Sequence, residues 1–274
     1  MSLNHELFKD YEQFRHFAEV WTPDQALNWG FHEFDDQIAI ASGFGAEGMA
    51  VIDLAFRLRS KLRVFVLDTG FLFPETYELI DRVERRYGIT VERVCPDLSP
   101  EVQARVHGPA LWSRNPDQCC ALPKVEPLRR KASGLRAWVT AIRRDQTSAR
   151  AQAGRIEWDR KFQLVKVNPI VDWSSESVWS YIRNRDLPYN QLHDHHYPSI
   201  GCIQCTRPVL PGRTTAPGAG QPSARKSADG TRWKRIQKCF LETWSSCRVP
   251  KVSSPPSRLF ETAQRCLGTV CGSE

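Results

Sequence analysis

Four cysteines fall in two pairs that could hold an inorganic centre. Cys119 and Cys120 are adjacent, and Cys202 and Cys205 are separated by two residues. Four thiolates can close a tetrahedral zinc site or hold an iron–sulfur cluster. The Cys-x-x-Cys spacing is a strong ligand signal. Adjacent cysteines are unusual for zinc, whose ligand pairs normally stand two or more residues apart. The bland alternative for Cys119 and Cys120 is a pair of small buried hydrophobes. Their polar setting, with Asp117 and Gln118 before and Lys124 after, weighs against it. Lys124 could supply a cation that favours thiolates; a solvated lysine is the ordinary alternative.

A second feature is Ser42-Gly43-Phe44-Gly45-Ala46-Glu47-Gly48, between an apolar run and a helical pattern. Such a turn presents backbone N–H groups at a helix N-terminus, where an anion is stabilised. It lacks the Lys-Ser/Thr pair of a Walker A loop and the spacing of GxGxxG. A tight turn with no ligand explains the glycines equally well. Asp68-Thr69-Gly70 ends the next apolar run in the same way. In open parallel sheets, ligands bind beyond the carboxyl ends of strands. Two such turns on one edge would make a nucleotide pocket, one for phosphate or sulfate and one near ribose or base.

The elements that must position these residues alternate. Residues 37–41, 62–67, 90–94, 137–141 and 162–167 read as strands. Residues 7–20, 49–60, 74–87 and 174–184 read as helices, and Thr22-Pro23 starts another. The alternation predicts an α/β fold with an open, mostly parallel sheet. No stretch is long and apolar enough to span a membrane, and residues 1–10 are polar. The expectation is a cytoplasmic protein whose nine cysteines serve metal or thiol chemistry rather than disulfides.

The net charge of +7 is unevenly spread. Residues 213–274 carry eleven Lys+Arg against four Asp+Glu, whereas residues 1–212 carry 27 of each. The globular part has no charge excess with which to bind phosphate backbones, so no nucleic-acid partner is expected. From Arg213 to Gly230 the composition turns to Ala, Gly, Thr, Ser, Pro and Arg without apolar periodicity, which reads as a disordered tail.

Taken together, these motifs resemble a family. Besides the cysteine pairs, Lys124 and the two turns, they are Ala137-Trp138-Val139-Thr140, Arg143-Arg144-Asp145-Gln146, Asn168-Pro169-Ile170, Leu187-Pro188-Tyr189-Asn190, His193-Asp194 and Tyr197-Pro198-Ser199-Ile200-Gly201-Cys202, with Cys205-Thr206-Arg207-Pro208. In this order they resemble the assimilatory sulfonucleotide reductases over residues 41–212. The resemblance implies a Rossmann-like domain of the adenine-nucleotide alpha-hydrolase type over residues 1–212. Having both cysteine pairs, the chain is similar to the adenylyl-sulfate branch. That implies a 4Fe–4S cluster on Cys119, Cys120, Cys202 and Cys205, adenylyl sulfate as substrate and thioredoxin as reductant. Ser42, Gly45, Leu67, Arg143 and Arg150 match substrate-contacting positions, and Lys124 the lysine between cluster and substrate. Arginine suits a phosphosulfate, whose oxygens its guanidinium binds in a fork; a surface ion pair is the ordinary alternative. The chain departs from the family where Ala141 and His196 replace common glycines, and in a slightly shorter stretch between Gln146 and Arg150.

The resemblance also implies a nucleophilic cysteine in a C-terminal Glu-Cys-Gly-x-His motif, which this chain lacks. Its thiolate would attack the sulfate sulfur and expel AMP, and thiol exchange would then release sulfite. Residues 213–220 can be encoded so that one added guanine restores Glu-Asp-Asp-Arg-Ala-Gly-Arg-Trp, the family continuation. The same shifted frame across residues 225–231 permits Lys-Glu-Cys-Gly-x-His. Residues 213–274 are therefore read as out of frame, and no catalytic nucleophile is assigned. Cys239, Cys247, Cys266 and Cys271 have no motif around them. As written, the chain is expected to bind substrate without turnover. The rival readings are a 3′-phosphoadenylyl-sulfate reductase, an ATP-splitting thiolase or synthetase of similar fold, and a zinc-structured protein without enzymatic activity.

Overall fold

The computed structural model describes residues 15–209. The expected junction at Gly212, the out-of-frame segment and the start of the helix expected at 7–20 lie outside the described residues. Six strands form one sheet: β1 (Ile38–Ala41), β2 (Val64–Leu67), β3 (Val91–Val94), β4 (Ala137–Val139), β5 (Ile156–Asp159) and β6 (Leu164–Val167). Their order is β3-β2-β1-β4-β6-β5. Every neighbouring pair is parallel except β5 with β6. The mostly parallel α/β architecture expected from the sequence is present.

The principal helices are α1 (Pro23–Phe34), α2 (Ala46–Leu58), α3 (Pro74–Tyr87), α4 (Pro100–His107), α5 (Leu111–Arg114), α6 (Pro116–Cys120), α7 (Glu126–Ala132) and α8 (Ser175–Asn184). Local chemistry fixes their ends. Thr22 and Gln25 form a reciprocal capping box at the start of α1, with Pro23 in its first turn. Gly88 ends α3 in the left-handed conformation, with φ of 63°. Ser174 caps α8 by accepting from the Ser177 N–H. None of the described helices is long and apolar enough to cross a membrane.

Strand alternation splits the core in two. Ile38, Ile40, Val64, Val66, Val139, Val165 and Val167 face one side, where they pack with α1, α2, α3 and α8. Ala39, Phe65, Trp138 and Leu164 face the other, against Leu128 and Ala132 of α7. Chain order explains this division. From β1 to β3 the chain steps one way across the sheet, and β4 then returns to the far side of β1. Right-handed crossovers put the connections of opposite steps on opposite faces. Residues 95–136, which carry Cys119, Cys120 and Lys124, therefore cover the second face.

Several expectations need correction. The helix expected at 49–60 begins at Ala46, inside the glycine-rich stretch. The strand expected at 137–141 stops at Val139, because Thr140 turns its hydroxyl to Asn168 Oδ1, 2.5 Å away. Strand β5 and helices α4–α7 were not anticipated. Cys119, Cys120, Cys202 and Cys205 are free thiols.

Candidate functional site

The switch in strand direction lies between β1 and β4, and open α/β sheets bind ligands beyond the strand ends at such a point. The glycine-rich turn follows β1 there. Ser42 Oγ accepts from the Phe44 N–H at 3.1 Å, and Phe44 is held at φ of 56°. Gly48 is required by the protein itself, since a Cβ on it would lie 2.5 Å from Ser42 Oγ. Gly43 and Gly45 are not: a Cβ on Gly43 would meet nothing within 4 Å, and one on Gly45 only Glu47 Oε2 at 3.7 Å. Gly45 is the N-cap of α2 without a side-chain cap, so the backbone is approachable where the helix leaves donors open.

Ser42 and Leu67 meet Lys124 and Cys202 around one cavity of about 240 Å³. Ala41, Phe65 and Trp138 belong to its floor, and Thr69 and Gly201 to its rim. The alternation of β1 helps to open it: Ile38 and Ile40 go to the packed face, while Ala39 and Ala41 go to the other, and the small side chain of Ala41 lines the cavity. A larger cavity of about 420 Å³ lies beside the same loop, lined by Phe71, Gln103, Trp112, Ile203 and Gln204 among others. It includes no basic side chain and none of the expected substrate residues, so size is a poor guide here.

The Cys202–Cys205 turn is stitched to the end of β2. The Ile203 N–H donates to the Phe71 carbonyl at 2.8 Å, and Thr69 Oγ1 lies 3.4 Å from Cys202 Sγ. Thr206 Oγ1 donates to the Cys202 carbonyl and accepts from the Gly201 N–H, closing the turn. On the other side, Asn115 caps α6, and a π-helical stretch over Ala121–Val125 carries Lys124. Gln103 Nε2 approaches Cys119 Sγ at 3.9 Å.

The two cysteine pairs share one electrostatic neighbourhood. Burial pushes the Cys119 thiol up to about 11; Cys120, Cys205 and Cys202 add to this and Gln103 opposes it. The Cys205 thiol is raised by burial and Cys202, and Lys124 opposes that shift. Burial pulls the Lys124 ammonium down, but Cys202, Cys120 and Cys205 together raise it above its ordinary value. Among the described residues, however, no group of three or more His, Cys, Asp or Glu side chains forms a ready metal cage. What the thiols provide is a set of four sulfur donors, with Cys119 and Cys202 buried, of which Cys120, Cys202 and Cys205 act on the Lys124 ammonium.

The expected anion ligands are only partly assembled. Arg143 is buried and pairs with Glu47 at 3.2 Å and Asp145 at 3.0 Å; its Nε has no partner. Gln146 donates to the same Glu47 at 3.1 Å. Arg150 is exposed, lies outside the lining of the cavity and bonds Gln146 instead. Glu47 and Gln146 were missed as partners of Arg143, because neither has a local pattern that marks it.

Other motif residues prove structural. Asp68 accepts from the Tyr77 hydroxyl at 2.7 Å and the Gly70 N–H at 3.0 Å, so it builds its turn. Asn168 is fully buried and donates to the Gly154 carbonyl and Glu157. Asn190 donates to Thr76 Oγ1 and accepts from the Leu192 N–H. His196 sits at φ of 65°, which explains why glycine is favoured at that position.

Residues 37–208 match the model of the phosphoadenosine phosphosulfate reductase domain. An adenosine 5'-phosphosulfate reductase of Staphylococcus haemolyticus is 44% identical over 195 residues, covering 71% of this chain and 80% of the relative. Adenosine 5'-phosphosulfate reductase 2 of Bacillus subtilis is 44% identical over 183 residues, covering 66% of this chain and 78% of the relative. Among solved structures, phosphoadenylyl-sulfate reductase from Candida auris, in a phosphate complex, superposes with a TM-score of 0.65 at 28% identity, covering 76% of this chain and 98% of that one. FMN adenylyltransferase of Candida glabrata shares the fold, with a TM-score of 0.52 at 16% identity. The chain belongs to the phosphoadenosine phosphosulfate reductase domain family.

Proposed function

We propose that this chain is an oxidoreductase of the adenylyl-sulfate branch, built to reduce adenylyl sulfate to sulfite and AMP with thioredoxin as electron donor. The observation that carries the reading is the cavity whose wall is shared by Ser42, Leu67, Lys124 and Cys202. It joins an approachable helix N-terminus to a cation and to the sulfur cluster of side chains. The names borne by the relatives favour adenylyl sulfate over its 3′-phosphorylated form.

In this reading Ser42, Gly45 and Leu67 hold the nucleotide, while Lys124 and Arg143 bind the phosphosulfate oxygens. Arg143 must first leave Glu47 or share it. Arg150 acts through Gln146 at the outer edge. Cys119, Cys120, Cys202 and Cys205 hold a 4Fe–4S cluster, supported by their common neighbourhood with Lys124. When bound, such a cluster supplies a fixed charge next to the substrate anion and the lysine between them. Lys124, half-buried, would keep its proton and neutralise the bridging and sulfate oxygens as AMP leaves.

The domain occupies residues 1–212, and residues 213–274 are the product of a lost guanine. The nucleophile belongs to the other frame, so this polypeptide binds but does not turn over. Resequencing across the Gly212 codon tests the frame, and an unbroken reading there overturns that part. Titrating the anaerobically purified chain with adenylyl sulfate and with 3′-phosphoadenylyl sulfate tests the substrate, and tighter binding of the latter overturns the choice. Iron and acid-labile sulfide in the same sample test the cluster; zinc without either contradicts it.

A further inference from the structure

Trp138 is out of place as a plain core residue. It is the middle residue of β4 and is 9% exposed. It packs edge-on against Phe162, with ring centroids 5.5 Å apart. Yet its indole Nε1 is buried and finds no acceptor among the protein's own atoms. A buried N–H without a partner is destabilising, and phenylalanine would supply an aromatic ring at this position without that cost. The indole also lines the 240 Å³ cavity.

Its depth limits what it can meet. Trp138 is in register with Ala39, two residues before Ala41 on β1. That sets it about 6–7 Å below the strand ends. The charged groups are at the rim, where Lys124 and the turn after Ser42 stand. At the level of Trp138 the surroundings are Ala39 and Phe65. The cation nearest that depth, Lys131 over the Phe65 ring, is already paired with Glu92 and does not line the cavity, whereas a planar, mostly apolar ring fits walls made of Ala41, Phe65, Leu67, Leu128 and Trp138. Tryptophan is a donor only, so the ring must offer an acceptor.

We infer that the Trp138 indole N–H reads the nucleobase, donating to a ring nitrogen of the adenine seated in this apolar trough. This rests on the adenine-nucleotide reading of the cavity and assigns to Trp138 the choice of base. Sites built to hydrogen-bond a ligand atom reject analogues lacking it, because the site's own group is then left unpaired.

The test uses the full chain and measures dissociation constants for AMP and its 1-deaza, 3-deaza and 7-deaza analogues. One analogue is expected to bind about tenfold more weakly than AMP. Trp138→Phe should lose that discrimination, binding AMP and the analogue within about twofold of each other. Replacing Trp138 with 3-benzothienylalanine, which keeps the ring shape and removes the N–H, should do the same without disturbing the packing on Phe162. Equal binding of AMP and all three analogues by the unaltered chain overturns the inference, as does discrimination that survives in the benzothienyl variant. Failure of the unaltered chain to bind AMP at all overturns the nucleotide reading and the inference with it.

Discussion

The two faces of the sheet are built from the same strands and behave oppositely. One carries Ile38, Ile40, Val64, Val66 and Val139 into a core closed by four helices. The other carries Ala39, Ala41 and Trp138, is closed only by α7 and leaves a cavity at the strand ends. A single period-two pattern in β1, isoleucine alternating with alanine, assigns stability to one side and vacancy to the other. The connection from β3 to β4, crossing on the second face, brings Lys124 to that vacancy.

Substitutions on neighbouring residues of β1 can break this contrast. Ile40→Ala should cost about 2–5 kcal/mol in urea unfolding, while nucleotide affinity per folded molecule stays unchanged. Equal loss of affinity would mean that the faces are not separable. Ala41→Leu should do the reverse. It should change stability little, because the added side chain enters an open cavity rather than a packed core, but it should weaken AMP binding by roughly tenfold or more, since the bulk occupies space the nucleotide needs. Calorimetric titration beside a thermal melt would show the split.

Arg143→Ala sharpens the comparison at the rim. Losing charge-assisted bonds to an oxyanion should weaken adenylyl sulfate by about tenfold to a hundredfold, with a smaller change for adenosine. A similar loss for adenosine would mean that Arg143 shapes the trough rather than meeting the anion. Far from the trough, His196→Gly should stabilise by about 1 kcal/mol, because it relieves a left-handed backbone at φ of 65°. An unchanged melting temperature would mean that the side chain compensates.

The smallest effect concerns pH and belongs to the packed side. His193 stacks edge-on on Trp179 of α8, and its Nδ1 lies 2.8 Å from the Tyr197 carbonyl. Burial holds it below its ordinary value, opposed by the Tyr197 carbonyl, Glu47 and Asp194. The folded chain thus keeps His193 neutral where the unfolded chain takes up a proton. Its contribution is complete above the unfolded value of about 6.5 and falls away as pH drops below it. His193→Gln should flatten that part of a stability–pH profile; an identical acid slope in both proteins would assign the slope elsewhere.

Much of the first face was legible in the sequence, because strands with alternating or continuous β-branched residues carry a strong periodic signal. The cysteine pairs and the glycine-rich turn were legible as motifs. Residues 100–132 were not: α5 and α6 have four and five residues and run into a π-helical stretch, too short for an amphipathic period. Strand β5 escaped because Ile156–Asp159 is a four-residue edge strand with two acids. In the site, Arg143 was readable as a cation but its pairing with Glu47 was not, since a loop residue and a residue of the first turn of α2 meet across 96 positions of sequence. Trp138 resembled any aromatic strand residue until its N–H was seen to lack an acceptor.

The hydrogen bond from Ile203 to Phe71, and the Thr69–Cys202 contact beside it, have a consequence beyond geometry. One short seam belongs at once to the sulfur loop and to the wall of the ligand chamber. If the proposed cluster is held there, any effect of its occupancy on nucleotide affinity is returned by the same factor in the other direction. A chain loaded with that cluster should then hold nucleotide more firmly than one without it. One saturated with nucleotide should surrender its metal more slowly.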